Sequence, residues 1–166
     1  GGVTMFKGPT HTGGTGGAAT NLTGVMFYLT GTAVPSGSQT VVVNWSGTGT
    51  EKSAAVAVTY KNVGSIGVQN VFSGGNGAGA AMSITLTTTV SNAAMIGVVG
   101  LNDGTKTTVS SGITGQINDA TKSTGLAAGT TVSLDHLLVP AAGNKTTSWT
   151  WTGNARMAGW ALELKP

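Results

Sequence analysis

A two-residue rhythm of apolar and hydroxyl side chains constrains this chain more than any other feature. Between Ala80 and Ile96, Met82, Ile84, Leu86 and Val90 alternate with Ser83, Thr85, Thr87 and Thr89. Successive side chains of a β-strand point to opposite faces, so the stretch predicts a strand with one buried and one hydroxyl-coated face. The rhythm recurs. Val41, Val43 and Trp45 alternate with Val42 and Asn44, and Val56, Val58 and Tyr60 alternate with Ala55, Ala57, Thr59 and Lys61. Val132, Leu134, His136 and Leu138 form an expected apolar face opposite Thr131, Ser133 and Asp135. Trp149 and Trp151 share a face, opposite Ser148, Thr150 and Thr152; Trp160, Leu162 and Leu164 share another, opposite Ala161, Glu163 and Lys165. Leu22–Leu29 and Ala94–Val99 are apolar on both sides and read as central strands.

Turn signals separate these runs: Pro35-Ser36-Gly37, Gly47-Thr48-Gly49, Gly74–Gly77, Asn102-Asp103-Gly104, Ala142-Gly143-Asn144 and Gly153-Asn154. No stretch carries a helical period. Many short, regularly punctuated strands predict an all-β fold, a two-sheet antiparallel β-sandwich of jelly-roll-like form. Gly8–Ala19 reads as a long Gly/Thr loop, and Thr105–Gly129 as loops around one weak strand at Gly112–Asn118. The 166 residues suit one domain spanning 1–166.

Composition agrees. The chain holds 28 Gly and 28 Thr, and only 8% of its residues are charged, against about 25% in an average soluble domain. Thr fits a pleated surface and Gly supplies turns. There is no Cys, hence no disulfide and no thiolate metal site. The net charge is +3. Its cations (Lys7, Lys52, Lys61, Lys106, Lys122, Lys145, Arg156 and Lys165) are scattered, whereas nucleic-acid binding needs them clustered on one face. No apolar run approaches the roughly 20 residues of a membrane-spanning helix.

Candidate chemistry is sparse. Gly14–Ala19 and Gly75–Ala80 fit a loose GxGxxA, but Ala80 leads into a strand and not into the helix N-terminus that phosphate binding requires. Asp135 and His136 are adjacent and so point to opposite faces of their strand. His136 then reads as a hydrogen-bonded core histidine, and His11 lies in a Gly/Thr loop without an acidic neighbour. The carboxylates are Glu51, Asp103, Asp119, Asp135 and Glu163. Glu51 and Asp103 fall in expected turns, Asp119 in a loop, and Glu163 faces outward beside Lys165. Asn102-Asp103 and Asn118-Asp119 would each offer a calcium ion only two of the roughly 6–8 oxygens it takes, and turn formation is the better account of both. Trp45, Trp149, Trp151 and Trp160 sit on apolar phases, which favours core over a sugar-stacking platform; each buried indole N–H then needs a partner. Asn21-Leu22-Thr23, Asn44-Trp45-Ser46 and Asn144-Lys145-Thr146 are glycosylation sequons. No catalytic, cofactor-binding or metal-ligating residue is assigned.

Three runs carry a resemblance: Gly24–Leu29, Pro35–Val43 with its P-x-G-x-x-T-V-x-V pattern, and Ala54–Tyr60 followed by Asn62-Val63. With the closing Thr147-Ser148-Trp149-Thr150 and Gly159–Pro166, the order resembles a jelly-roll-like β-sandwich module of bacterial secreted proteins and phage structural proteins. The resemblance implies a sandwich on a secreted or virion surface and carries over no catalytic residue. Gly1–Lys7 is similar to an interior part of that module, as though its first strand were missing or supplied by a neighbour. Val3, Thr4, Met5 and Phe6 are therefore the expected assembly edge, open to strand addition.

The expected function is that of a non-enzymatic structural subunit of an extracellular or virion-surface assembly. Its expected partners are copies of itself or a capsid or fibre lattice. A carbohydrate-binding or adhesion module with glycan partners is the alternative, and a secreted hydrolase the third reading. No cofactor, nucleic acid or membrane span is expected.

Overall fold

A computed structural model describes residues 4–13, 22–30, 34–44, 52–73, 79–106 and 109–166. The described chain is all-β, with antiparallel pairing throughout and no helix. Its strands are β1 (Phe6–Gly13), β2 (Leu22–Tyr28), β3 (Ser65–Ser73), β4 (Gly79–Thr88), β5 (Ala93–Leu101), β6 (Ser110–Ser111), β7 (Gln116–Ser123), β8 (Thr131–Val139), β9 (Gly143–Ala155) and β10 (Met157–Lys165).

They form a five-stranded sheet in the order β3-β10-β5-β8-β7, a three-stranded sheet β4-β9-β6 and a two-stranded sheet β1-β2. The five- and three-stranded sheets face each other as a β-sandwich. The rhythm of Ala80–Ile96 explains why: Met82, Ile84 and Leu86 of β4 are buried, whereas Ser83, Thr85 and Thr87 are exposed. The apolar row packs with Trp149 and Trp151 of β9, Met95, Val99 and Leu101 of β5, and Met157 and Ala161 of β10. Fully burying each large side chain contributes about 1.5–3 kcal/mol.

The outer face of the five-stranded sheet is apolar as well. Leu22 and Met26 of β2 pack on Trp160 and Val98. Tyr60 and Val63 join Ile96, Leu162, Leu164 and Leu134. The β1-β2 pair and the segment around Tyr60 thus form an incomplete third layer. Two glycines let tryptophan rings lie close against the backbone. A Cβ at Gly24 would lie 1.6 Å from the Trp160 ring, and one at Gly97 would lie 2.6 Å from the Trp149 ring.

Several expectations are corrected. Residues 38–44 and 52–60 belong to no sheet of the described residues, so the strands expected there are not formed. Residues 8–13 of the expected Gly/Thr loop belong to β1, and Leu22–Tyr28 pairs, among the described residues, only with β1 and is not a central strand. The weak strand expected at Gly112–Asn118 is instead β7, displaced toward Ser123, preceded by the short β6. Gly153-Asn154 lies within β9, where Gly153 has φ +72°.

The phase of β8 is inverted. Thr131, Ser133 and Asp135 are fully buried between the sheets, while Leu138 on the opposite face is 66% exposed.

Candidate functional site

The outward face of β4 and β9 is a ladder of paired polar groups. Ser83 opposes Ser148, Thr85 opposes Thr146 and Thr87 opposes Asn144. The Ser83 hydroxyl donates to Ser148 Oγ at 2.9 Å, the Thr85 and Thr146 hydroxyls meet at 2.8 Å, and Thr87 donates to Asn144 Oδ1 at 2.6 Å. Thr150 and Ser110 are paired and exposed beside them. None of these eight side chains is charged. The alternation that buries Met82, Ile84 and Leu86 produces this face directly.

Beneath it lies a polar network between the sheets. The fully buried Asp135 accepts hydrogen bonds from Ser111 Oγ (2.8 Å), Gln116 Nε2 (2.8 Å), Asn118 Nδ2 (2.8 Å) and Ser133 Oγ (3.0 Å). Gln116 also receives the Ser148 N–H at 2.8 Å and donates to the Ser148 carbonyl at 3.0 Å. Its amide acts as a one-residue neighbour strand for β9, tying β7 to the opposite sheet. A buried carboxylate without a cation is tolerable only when its lone pairs are met, as they are here.

A second cluster lies on the outer face. The register of β7 and β8 shifts between Asn118 and Ala120, a bulge at Asp119. Bulges re-aim side chains. The Asp119 carboxylate meets His136 Nδ1 at 2.7 and 2.9 Å and accepts a hydrogen bond from the Tyr60 hydroxyl. The Tyr60 and His136 rings meet edge-on, 6.1 Å apart. Burial, with the adjoining Asp119 carboxylate, pushes the Tyr60 hydroxyl well above its ordinary pKa, so Tyr60 remains a donor. Asp119, expected in a loop, and His136, expected in the core, both lie in strands, with His136 half-buried. Its carboxylate partner is Asp119, not the adjacent Asp135. The bulge and the distant Tyr60 leave no trace in local spacing. A carboxylate on Nδ1 of an imidazole is also how the base of a hydrolytic triad is oriented, but no hydroxyl of a described residue is recorded on the remaining imidazole nitrogen here.

Glu163 is fully buried, contrary to its expected outward position. It accepts hydrogen bonds from the Thr89 N–H (2.7 Å) and hydroxyl (3.0 Å), the Val90 N–H (3.2 Å) and the Val68 N–H (3.3 Å). Lys165 Nζ lies 4.0 Å away. Burial pushes its pKa upward, but the combined donors outweigh it and hold the carboxyl below its ordinary range. Asp103 is a turn residue, as its neighbours imply. Partial burial opposes ionisation there, yet Thr105 and Lys106 hold its carboxyl below the usual range.

The residues singled out for binding do not converge. Among the described residues, no three His, Asp or Glu side chains are grouped to hold a metal ion. Asp119 and Asp135 lie on opposite faces of the five-stranded sheet. Trp149, Trp151 and Trp160 are buried; the exposed Phe6 meets the half-buried Tyr28, 6.0 Å apart and tilted by 31°. Together with Thr30, Gly64, Ser65 and Ile66 they line a shallow cleft. Of the expected assembly edge, Phe6 opens β1 opposite Tyr28. Thr4 and Met5 precede the strand, Thr4 exposed and Met5 half-buried. Val3, Glu51, Trp45, Asn21, the His11 side chain and both Gly-rich motifs before Gly79 lie outside the described residues. Among the described residues no helix is long and apolar enough to cross a membrane. In comparisons with known proteins, the chain matches no family model, no curated protein and no solved structure.

Proposed function

We propose that this chain is a non-enzymatic structural subunit of an ordered assembly on an extracellular or virion surface, packed against copies of itself or a host lattice. The observation that carries the reading is the uncharged hydroxyl ladder on β4 and β9. Its hydroxyls are already paired across the strands, so they are held in fixed positions before any partner arrives, and contact loses little side-chain freedom. No charge has to be desolvated on this face. Exposed carbonyls and hydroxyls retain spare lone pairs for a partner.

The carbohydrate-binding reading draws on one feature, the Phe6–Tyr28 pair beside Thr30 and Ser65, since the described tryptophans are occupied in the core.

The test is the native size of the protein by light scattering and electron microscopy, for the wild type and for Thr85→Lys. A new charge at the centre of the ladder is expected to dissolve the assembly, while subunit stability changes by no more than about 0.5 kcal/mol, as at other exposed sites. A wild-type protein that stays monomeric at high concentration, or a Thr85→Lys particle indistinguishable from wild type, would overturn the proposal.

A further inference from the structure

We infer that Ser111 and Gln116 join in an intramolecular ester bond with loss of ammonia, and that Asp135 catalyses the step. The inference stands apart from the assembly reading and survives its failure. Alcoholysis of a primary amide needs a hydroxyl nucleophile, a base for its proton, a donor for the carbonyl oxygen and a proton for the leaving nitrogen. One cluster between the sheets supplies all four. The Ser111 hydroxyl donates to Asp135 Oδ2 at 2.8 Å, and Gln116 Nε2 donates to the same oxygen at 2.8 Å. Nucleophile and leaving nitrogen are thus neighbours through a single carboxylate oxygen. Gln116 Oε1 accepts the Ser148 N–H at 2.8 Å, a backbone donor on the oxygen where negative charge develops. Nε2 also donates to the Ser148 carbonyl at 3.0 Å, so the amide is oriented at both of its ends.

The local fold holds this arrangement in place. Ser111 ends β6 and Gln116 opens β7, with residues 112–115 between them. That turn is pinned by the Gly112 N–H on the Ser148 carbonyl at 2.8 Å and by the Gln116 N–H on the Ile113 carbonyl at 3.2 Å. Well-oriented groups on one molecule react as though present at about 10⁵ M or more. Asp135 is fully buried and Gln116 nearly so, which keeps water from competing for the amide. In the step, Asp135 Oδ2 takes the Ser111 proton as Oγ bonds to Gln116 Cδ. Cδ becomes tetrahedral, and Nε2 turns from an amide into a basic amine. Oδ2 returns the proton to Nε2, the Cδ–Nε2 bond breaks and ammonia leaves. No outside reactant is consumed, and Asp135 ends as the carboxylate it was. Escape of the ammonia makes the step one-way. The product ties an edge strand of the three-stranded sheet to an edge strand of the five-stranded sheet.

Intact-mass measurement of the folded chain, after prolonged incubation at neutral pH, tests this. The wild type is expected to be lighter than its sequence by one ammonia. The tryptic peptide 107–122 is expected to carry that loss and to give no backbone fragments between positions 111 and 116. Ser111→Ala is expected to keep its full sequence mass, whereas Ser111→Thr, which retains a hydroxyl, is expected to lose ammonia. Tryptophan fluorescence verifies that each variant is folded. A folded wild-type chain of full sequence mass would overturn the ester. So would an ammonia loss that persists in Ser111→Ala, since the loss would then arise at another amide. A folded Asp135→Asn chain that loses ammonia as fast as the wild type would overturn the role given to the carboxylate.

Discussion

Thr147 places a hydroxyl in the core between the sheets without a hydrogen-bond partner among the described residues. An unmet buried hydroxyl carries a desolvation cost of about 1–3 kcal/mol. Thr147→Val keeps the β-branched shape and removes that cost, so it should stabilise the fold by roughly 1 kcal/mol. Thermal unfolding should show a raised melting temperature; a fall would mean that the hydroxyl has a partner. The same parity that put Trp149 in the core puts Thr147 there, since the two are separated by two positions on β9. Trp151 has the partner its indole requires, the Gly79 carbonyl at 3.0 Å. Trp149 and Trp160 have none among the described residues. Parity therefore made the tryptophan burial legible, but not whether each N–H would be met. Glu163 was misread by the same rule. Alternation assigns it to the face opposite Trp160 and Leu162, and that face is wet only if the sheet has one covered side. β10 is covered on both, so the outward-looking position lies between the sheets, where four donors hold the carboxylate.

At the level of elements, the strands with one wet face were readable and those covered twice were not. β4 follows its alternation residue by residue. β8 inverts it, because Leu134 packs with the outer layer while Asp135 is met mostly by β6 and β7. Neither neighbour is visible from the local sequence. The segment 52–60 is intermediate: of its expected inward residues Val56 and Tyr60 are half-buried but Val58 is exposed, and the segment joins no sheet. Its attachment depends heavily on one hydroxyl. Tyr60→Phe preserves the ring packed against His136 and removes the donor to Asp119. A hydrogen bond to a charged group contributes about 1.5–3 kcal/mol. Local opening of residues 52–60 should therefore become roughly tenfold more frequent at the lower end of that range. Limited proteolysis within the segment should accelerate accordingly, with global unfolding little changed. Unaltered cleavage would show that the apolar contacts of the Tyr60 ring and Val63 hold the segment unaided.

At the scale of the whole molecule, the scarcity of charge and the two-sided burial of the central sheet combine into a statement about acid. The proposed interface is made of hydroxyls and amides that do not titrate, and screening that shortens to about 3 Å at 1 M salt has little there to screen. The fold, by contrast, contains a titrating latch. The Glu163 carboxyl is held below its ordinary pKa in the folded state. Its contribution is thus fully present above the unfolded value, about 4.3, and is lost as pH falls through the lower folded value. Protonation would turn a four-donor acceptor into a group that must itself donate, loosening the junction of β10 with the turn after β4. The assembly should therefore persist at 1 M salt and down to about pH 4, and then fail because its subunits unfold. Light scattering and tryptophan fluorescence followed in one acid titration should change together. Loss of scattering at a pH where the fluorescence remains native would place the sensitive group at the interface, and would count against a contact built from neutral hydroxyls.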